Sequence, residues 1–96
     1  MWILATDDEA ETPFTFRIRP GNIKTIGRAT RADFILDAGL VSRLHCRVSA
    51  GAADLEVVDL DSTNGIYVNG ERVPRAMLKP GDRLGVGRVE LVVSRG

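Results

Sequence analysis

The segment Ile66-Tyr67-Val68-Asn69-Gly70-Glu71-Arg72-Val73 reads as a β-hairpin. Asn69 and Gly70 both accept a positive φ, which a two-residue hairpin turn requires, and the arms on either side carry strand-favouring residues. Working outward from it, apolar and polar residues alternate in several further runs. Phe14, Phe16 and Ile18 oppose Thr15, Arg17 and Arg19; Leu44, Cys46 and Val48 oppose His45, Arg47 and Ser49; Val89, Leu91 and Val93 oppose Glu90, Val92 and Ser94. A period of two puts each set on one face of a strand. Shorter runs fit strands at Trp2 to Ala5, Ile23 to Gly27, Asp33 to Leu36, Leu55 to Val58 and Leu84 to Val86. Pro20-Gly21-Asn22 and Pro80-Gly81-Asp82 supply further turns. The ten glycines and four prolines leave no stretch free of both that is longer than Ala52 to Asn64, so long helices are excluded. The expectation is an all-β sandwich or barrel.

The 96 residues make one domain, 1–96, because two independent cores do not fit in this length. Scaling laws give about 5,400 Å² of exposed surface, which leaves room for a single modest core. Thirteen Lys and Arg balance thirteen Asp and Glu. A broad binder of nucleic acid would show an excess of basic residues, so no nucleic-acid partner is expected. No apolar run approaches the roughly 18 residues needed to cross a bilayer, and the N-terminal residues lack a basic region and a full apolar stretch, so neither membrane partner nor signal peptide is expected. Cys46 is the only cysteine and His45 the only histidine. That removes a disulfide framework, disfavours a metal site and suits a reducing, cytoplasmic compartment. Asp7 to Glu11 is a small acidic cluster, read as a solvated loop between the first two strands.

Enzyme chemistry finds little support. Gly85-Val86-Gly87 resembles the start of a dinucleotide fingerprint, but Glu90 stands where the third glycine belongs and no helix follows. Ser42 and His45, with Asp59 or Asp61, supply the residue types of a hydrolase, without the GxSxG elbow that would aim the serine. Anion recognition fits better. Gly27-Arg28 ends one strand, Ser42-Arg43-Leu44-His45 precedes another, and Ser62-Thr63-Asn64-Gly65 precedes a third. Loops at one end of a sandwich converge although they are distant in sequence. Arg offers paired donors to phosphate oxygens and Ser a hydroxyl donor. The Asn amide both donates to and accepts from an extended peptide backbone.

Taken in order, Gly27-Arg28, Ser42-Arg43-Leu44-His45, Asp59-Leu60-Asp61-Ser62-Thr63-Asn64-Gly65 and Val68-Asn69-Gly70 resemble the forkhead-associated (FHA) domain, and Gly81-Asp82-Arg83-Leu84-Gly85-Val86-Gly87 resembles its last turn and strand. The likeness runs from about residue 2 to residue 93. It implies an eleven-stranded sandwich of two sheets that binds phosphothreonine peptides through loops at one end. By the same resemblance, Arg28, Ser42 and Arg43 contact the phosphate, Thr63 the phosphothreonine region and Asn64 the peptide main chain. Leu40 helps choose the residue three places after the phosphothreonine, and its lack of charge points to an apolar residue there. Gly27, His45, Gly65, Asn69 and Gly70 are expected to support the loops. Ile66 departs from the family, where a threonine commonly follows the Asn-Gly pair.

The expected function is therefore phosphothreonine-dependent peptide binding in kinase signalling, by a monomer with no cofactor, no metal and no catalytic activity. Its partner is a phosphothreonine-containing protein. A phosphate-independent interaction module of the same fold is the main rival and a Ser/His hydrolase a remote one. Several residues also have purely structural readings. Gly27 permits a close backbone approach, Cys46 fills core, and Arg17, Arg19 and Lys24 decorate a solvated sheet face.

Overall fold

Alternating apolar residues become strands with one face in a shared core. The computed structural model describes all residues 1–96 and holds eleven strands and no helix. They are β1 (Trp2–Ala5), β2 (Thr15–Ile18), β3 (Ile23–Gly27), β4 (Phe34–Ile35), β5 (Cys46–Ala50), β6 (Leu55–Asp59), β7 (Ile66–Val68), β8 (Glu71–Val73), β9 (Arg75–Leu78), β10 (Arg83–Val86) and β11 (Val89–Arg95). One sheet has the order β2-β1-β11-β10-β7-β8 and the other β4-β3-β5-β6-β9. All pairings are antiparallel except β3 with β4.

Seventeen buried residues fill the space between the sheets. Trp2, Leu4, Ile18, Leu84, Val86, Leu91 and Val93 come from the larger sheet, and Ile26, Val48, Leu55, Val57 and Leu78 from the smaller. Phe16 of β2 stacks on Phe34 of β4 at 4.9 Å, joining the edge strands of the two sheets on that side. Trp2 is fully buried and its indole N–H donates to the Gly51 carbonyl at 2.9 Å, so the one polar atom of that side chain is satisfied. The exposed surface is 5595 Å², close to the scaling expectation.

The hairpin forms as its residues require. Asn69 has φ 50° and Gly70 φ 87°, and β7 pairs with β8. Gly21 and Gly81, each after a proline, also take positive φ, as the second central position of a type II turn demands.

β9 carries no strong strand signal, so alternation does not mark it, and it completes the eleven strands that the resemblance implies. Three expectations need correction. β4 is only two residues long rather than the run from Asp33 to Leu36. The alternation around His45 breaks: β5 begins at Cys46, Leu44 is half-buried, and His45 and Cys46 are both fully buried. His45 N donates to the Ile26 carbonyl while Cys46 is the register partner of Ile26. Two residues thus face one, which turns His45 inward as a bulge does. Finally, Arg17 and Lys24 lie on strands of different sheets, so Arg17, Arg19 and Lys24 share no single face.

The register also fixes which loops meet. Ala5, Gly27, Cys46, Asp59, Ile66, Val86 and Val89 all lie toward one end of the sandwich. The β1–β2, β3–β4, β4–β5, β6–β7 and β10–β11 connections therefore gather there.

Candidate functional site

At that end a cleft of about 380 Å³ is lined by Arg28, Ala38, Gly39, Leu40, Val41, Ser42, Thr63 and Asn64. Three loops distant in sequence supply these residues, and backbone bonds tie them together. Arg28 N donates to the Ser42 carbonyl and Ala29 N to the Arg43 carbonyl. Such long-range bonds hold loop backbone that no sheet ladder satisfies.

Each polar side chain is part committed and part free. Arg28 Nε donates to the Val41 carbonyl at 3.1 Å. That bond aims the guanidinium and leaves both Nη groups without a partner in the chain. Ser42 Oγ accepts from Thr63 N at 3.2 Å, so its own proton remains available to an outside acceptor. Asn64 Nδ2 donates to the Leu40 carbonyl at 3.1 Å, which leaves Oδ1 and a second amide proton for an extended backbone. Leu40 is half exposed and holds φ 66°, an unfavourable conformation for a residue with a γ-branched side chain.

His45 links two of the loops from beneath. Its Nδ1 accepts from Ser42 N at 3.0 Å, so Nε2 carries the proton and donates to the Gly65 carbonyl at 2.7 Å. Both ring nitrogens are thereby used in a fully buried side chain. The ring bonds the serine backbone rather than its hydroxyl, so Ser42 and His45 do not form a nucleophile–base pair.

Glycines set the spacing. A Cβ at Gly27 would overlap the Arg43 carbonyl, and one at Gly65 would overlap the Arg72 guanidinium. The close approach expected at Gly27 is thus to the backbone of the β4–β5 loop at Arg43 and Leu44. Arg43 is exposed, stands outside the cleft wall and makes no side-chain hydrogen bond. Asn69 and Gly70 lie at the opposite end of β7 from Gly65, where Asn69 Nδ2 donates to Asp82 Oδ1 and Asn69 Oδ1 accepts from Arg83 N. They fasten the hairpin to β10 and do not touch the cleft loops.

Three supports escaped sequence reading. Gly87, in the β10–β11 turn, has φ 59°, and a Cβ there would lie 2.7 Å from the Gly39 carbonyl and 2.8 Å from Val41 Cγ2. The Asp59 carboxylate accepts from the Ser62 amide and hydroxyl, and Ser62 Oγ accepts from Gly65 N. The Asp-x-x-Ser spacing is the readable trace of that turn. Asp33 accepts from Thr25 N and Thr25 Oγ1 at 2.9 and 3.2 Å, closing the loop that carries Arg28. These bonds, led by the Thr25 backbone N–H, hold the Asp33 carboxyl below its ordinary value of 3.8.

The sequence of the chain matches the family model for the FHA domain over residues 24–87. The chain belongs to the FHA family. Glycogen accumulation regulator GarA of Mycolicibacterium smegmatis is 40% identical over 70 residues, covering 73% of this FHA chain and 44% of GarA. The FhaA FHA domain, crystallised with the intracellular domain of Rv3910, is 33% identical with a TM-score of 0.85, covering 98% of this chain and 100% of that one. A domain from a structural and functional analysis of phosphothreonine-dependent FHA domain interactions is 32% identical with a TM-score of 0.83, covering 99% and 96%. The chain spans about half or less of the length of the curated relatives it matches.

Proposed function

We propose that this FHA domain is a phosphothreonine-dependent peptide-binding module that reads the mark of a Ser/Thr kinase in the cytoplasm. One observation carries the reading. Two loops tied backbone to backbone, and a third joined to them through the Ser42 hydroxyl and the Asn64 amide, bring the free ends of Arg28, Ser42 and Asn64, with Thr63, to one cleft. The solved relative with phosphothreonine-dependent interactions, which shares this fold over nearly its whole length, supports it.

Phosphothreonine carries about −1.5 to −2 charges and three strong acceptor oxygens. In this reading the Arg28 Nη groups and the Ser42 hydroxyl donate to the phosphate, Asn64 holds the peptide backbone and Thr63 lines the phosphothreonine pocket. Arg43, outside the wall, adds a weaker charge on the rim. Contacts to a charged group contribute roughly 1.5–3 kcal/mol each net. Three or four, offset by the ordering of a flexible peptide, give micromolar binding, about −8 kcal/mol. In this reading the module binds rather than catalyses, and the bond from the Ser42 backbone N–H to His45 supports it, because it takes the ring away from the hydroxyl.

Calorimetric titration with matched phosphorylated and unmodified threonine peptides tests the proposal. The phosphopeptide is expected to bind and its unmodified twin not. Arg28→Ala is expected to weaken binding at least about tenfold with an unchanged melting curve, because Arg28 is exposed. Equal binding of the two peptides, or an unaffected Arg28→Ala variant, would point to the phosphate-independent module.

A further inference from the structure

A second and larger cleft, about 610 Å³, adjoins the first and shares Ala38 and Gly39 with it. Its walls come from the β1–β2 loop, the start of the β4–β5 loop and the β10–β11 turn. Thr6 and Phe14 close the base of the β1–β2 loop, since Thr6 N donates to the Phe14 carbonyl and Phe14 N to Thr6 Oγ1. The acidic residues of that loop are thus held as a wall of the binding end rather than as a detached tail. Five acidic residues, Asp7, Glu9, Glu11, Asp37 and Glu90, are among the lining, against one basic residue, Arg88. Asp7 and Glu90 are engaged by Arg83, at 3.3 and 2.7 Å. Glu9, Glu11 and Asp37 have no ion pair within the chain. The stem of Arg88 packs beside Gly39, and Arg88 N donates to the Gly39 carbonyl, which places this turn on the ridge between the two clefts.

We infer that the second cleft is a flanking subsite that takes a lysine or arginine side chain of the same phosphothreonine peptide. The inference rests on the function proposed above and names the substrate class: a phosphothreonine with a basic residue within about four positions. An extended peptide advances about 3.3 Å per residue, and a long cationic side chain adds reach. A peptide seated on Arg28, Ser42 and Asn64 therefore delivers such a group past Ala38 and Gly39. The charges are complementary at both ends, a cation for the phosphate and free carboxylates for the flank. Complementarity of this kind sets specificity more than raw affinity. Leu40, on the ridge side of the phosphate cleft, contributes no charge to this choice.

The test is a lysine scan. A phosphothreonine peptide of otherwise neutral residues carries Lys, Ala or Glu at each of the four positions on either side, and each is titrated in low and in moderate salt. One position is expected at which Lys binds about three- to fivefold tighter than Ala and Glu weaker, with the gain falling as salt rises. The triple variant Glu9→Gln, Glu11→Gln, Asp37→Asn is expected to erase that gain while leaving the all-neutral phosphopeptide unchanged. Glu11→Lys with Asp37→Lys is expected to reverse the preference to Glu. All three side chains are exposed and outside the structural hydrogen bonds, so the variants should melt as the parent does. Phosphopeptides that bind equally well whatever the flank, or a gain that survives the triple variant, would overturn the subsite and leave the phosphothreonine reading standing. Phosphopeptides that bind no better than unmodified ones would overturn both.

Discussion

A side chain larger than hydrogen at position 27 has nowhere to go, because the Arg43 carbonyl already fills the space. Single residues of this kind set the Arg28 cleft, and Asp33 is another. Its carboxylate takes two hydrogen bonds from Thr25, which depress its pKa in the folded chain. A depressed carboxyl binds fewer protons folded than unfolded, so its contribution to stability is complete above the ordinary value of 3.8 and is lost as the pH falls through the folded value. Urea unfolding followed from pH 6 to pH 3 should therefore show a smaller acid loss for Asp33→Asn than for the parent, with the two curves converging at the acid end. Identical curves would mean that the Thr25 bonds do not form in solution. The residue scale is also where the sequence was most legible. Arg28, Ser42, Thr63 and Asn64 line one cleft; their ordered motifs, through the family resemblance, pointed to that grouping, whereas residue type alone did not, because Asp59, Ser62 and Asn69 have the same chemistry and close turns instead. Arg43 has the right chemistry but an exposed position outside the wall, and chemistry alone does not show where a side chain points.

At the scale of elements, the strands supply the frame and the buried ring of His45 joins the loops. That ring satisfies Ser42 N on the β4–β5 loop and the Gly65 carbonyl at the end of the β6–β7 loop. Truncation to alanine leaves both backbone groups unpaired beside a void, at about 2–4 kcal/mol. His45→Ala is thus expected to lower the unfolding free energy measured in urea by that amount and to weaken phosphopeptide binding about tenfold, although the side chain touches no ligand. Unchanged affinity in a destabilised variant would show that the loops hold their spacing without the ring. This bridge was not readable from alternation, which placed His45 on the outer face with Arg47. The inward turn depends on His45 and Cys46 sharing Ile26 across the sheet, a non-local fact. Turn residues were legible because positive φ is a local demand, as at Asn69 and Gly70. β9 was not, because Arg75-Ala76-Met77-Leu78 has no β-branched residue and becomes a strand only by pairing with β6. Gly87 looked like a fragment of a nucleotide fingerprint. Its role emerges only where the β10–β11 turn meets Gly39 and Val41.

On the scale of the whole molecule, the neutral balance of charge conceals a division. Cationic Arg28 serves one cleft and free carboxylates line its neighbour. The fold that keeps them side by side is closed by strands outside the matched family segment. Residues 24–87 hold the loops that line the Arg28 cleft but omit β1, β2 and β11. In the six-stranded sheet those three strands sit together at one side, and β10 would be left as an unpaired edge. Trp2, Leu4, Ile18, Leu91 and Val93, five of the seventeen core residues, would be lost with them. Each such side chain contributes roughly 1.5–3 kcal/mol by its burial, and a domain of this size is stable by only about 5–15 kcal/mol in total. The fragment 24–87 is therefore expected to be unfolded, with a disordered circular dichroism spectrum and no phosphopeptide binding, although it retains Arg28, Ser42, Thr63 and Asn64. Residues 1–96 should instead melt in one cooperative transition whose midpoint rises with phosphopeptide concentration. A folded, binding-competent fragment would show that the loops organise themselves, and that the terminal strands matter to the second cleft alone.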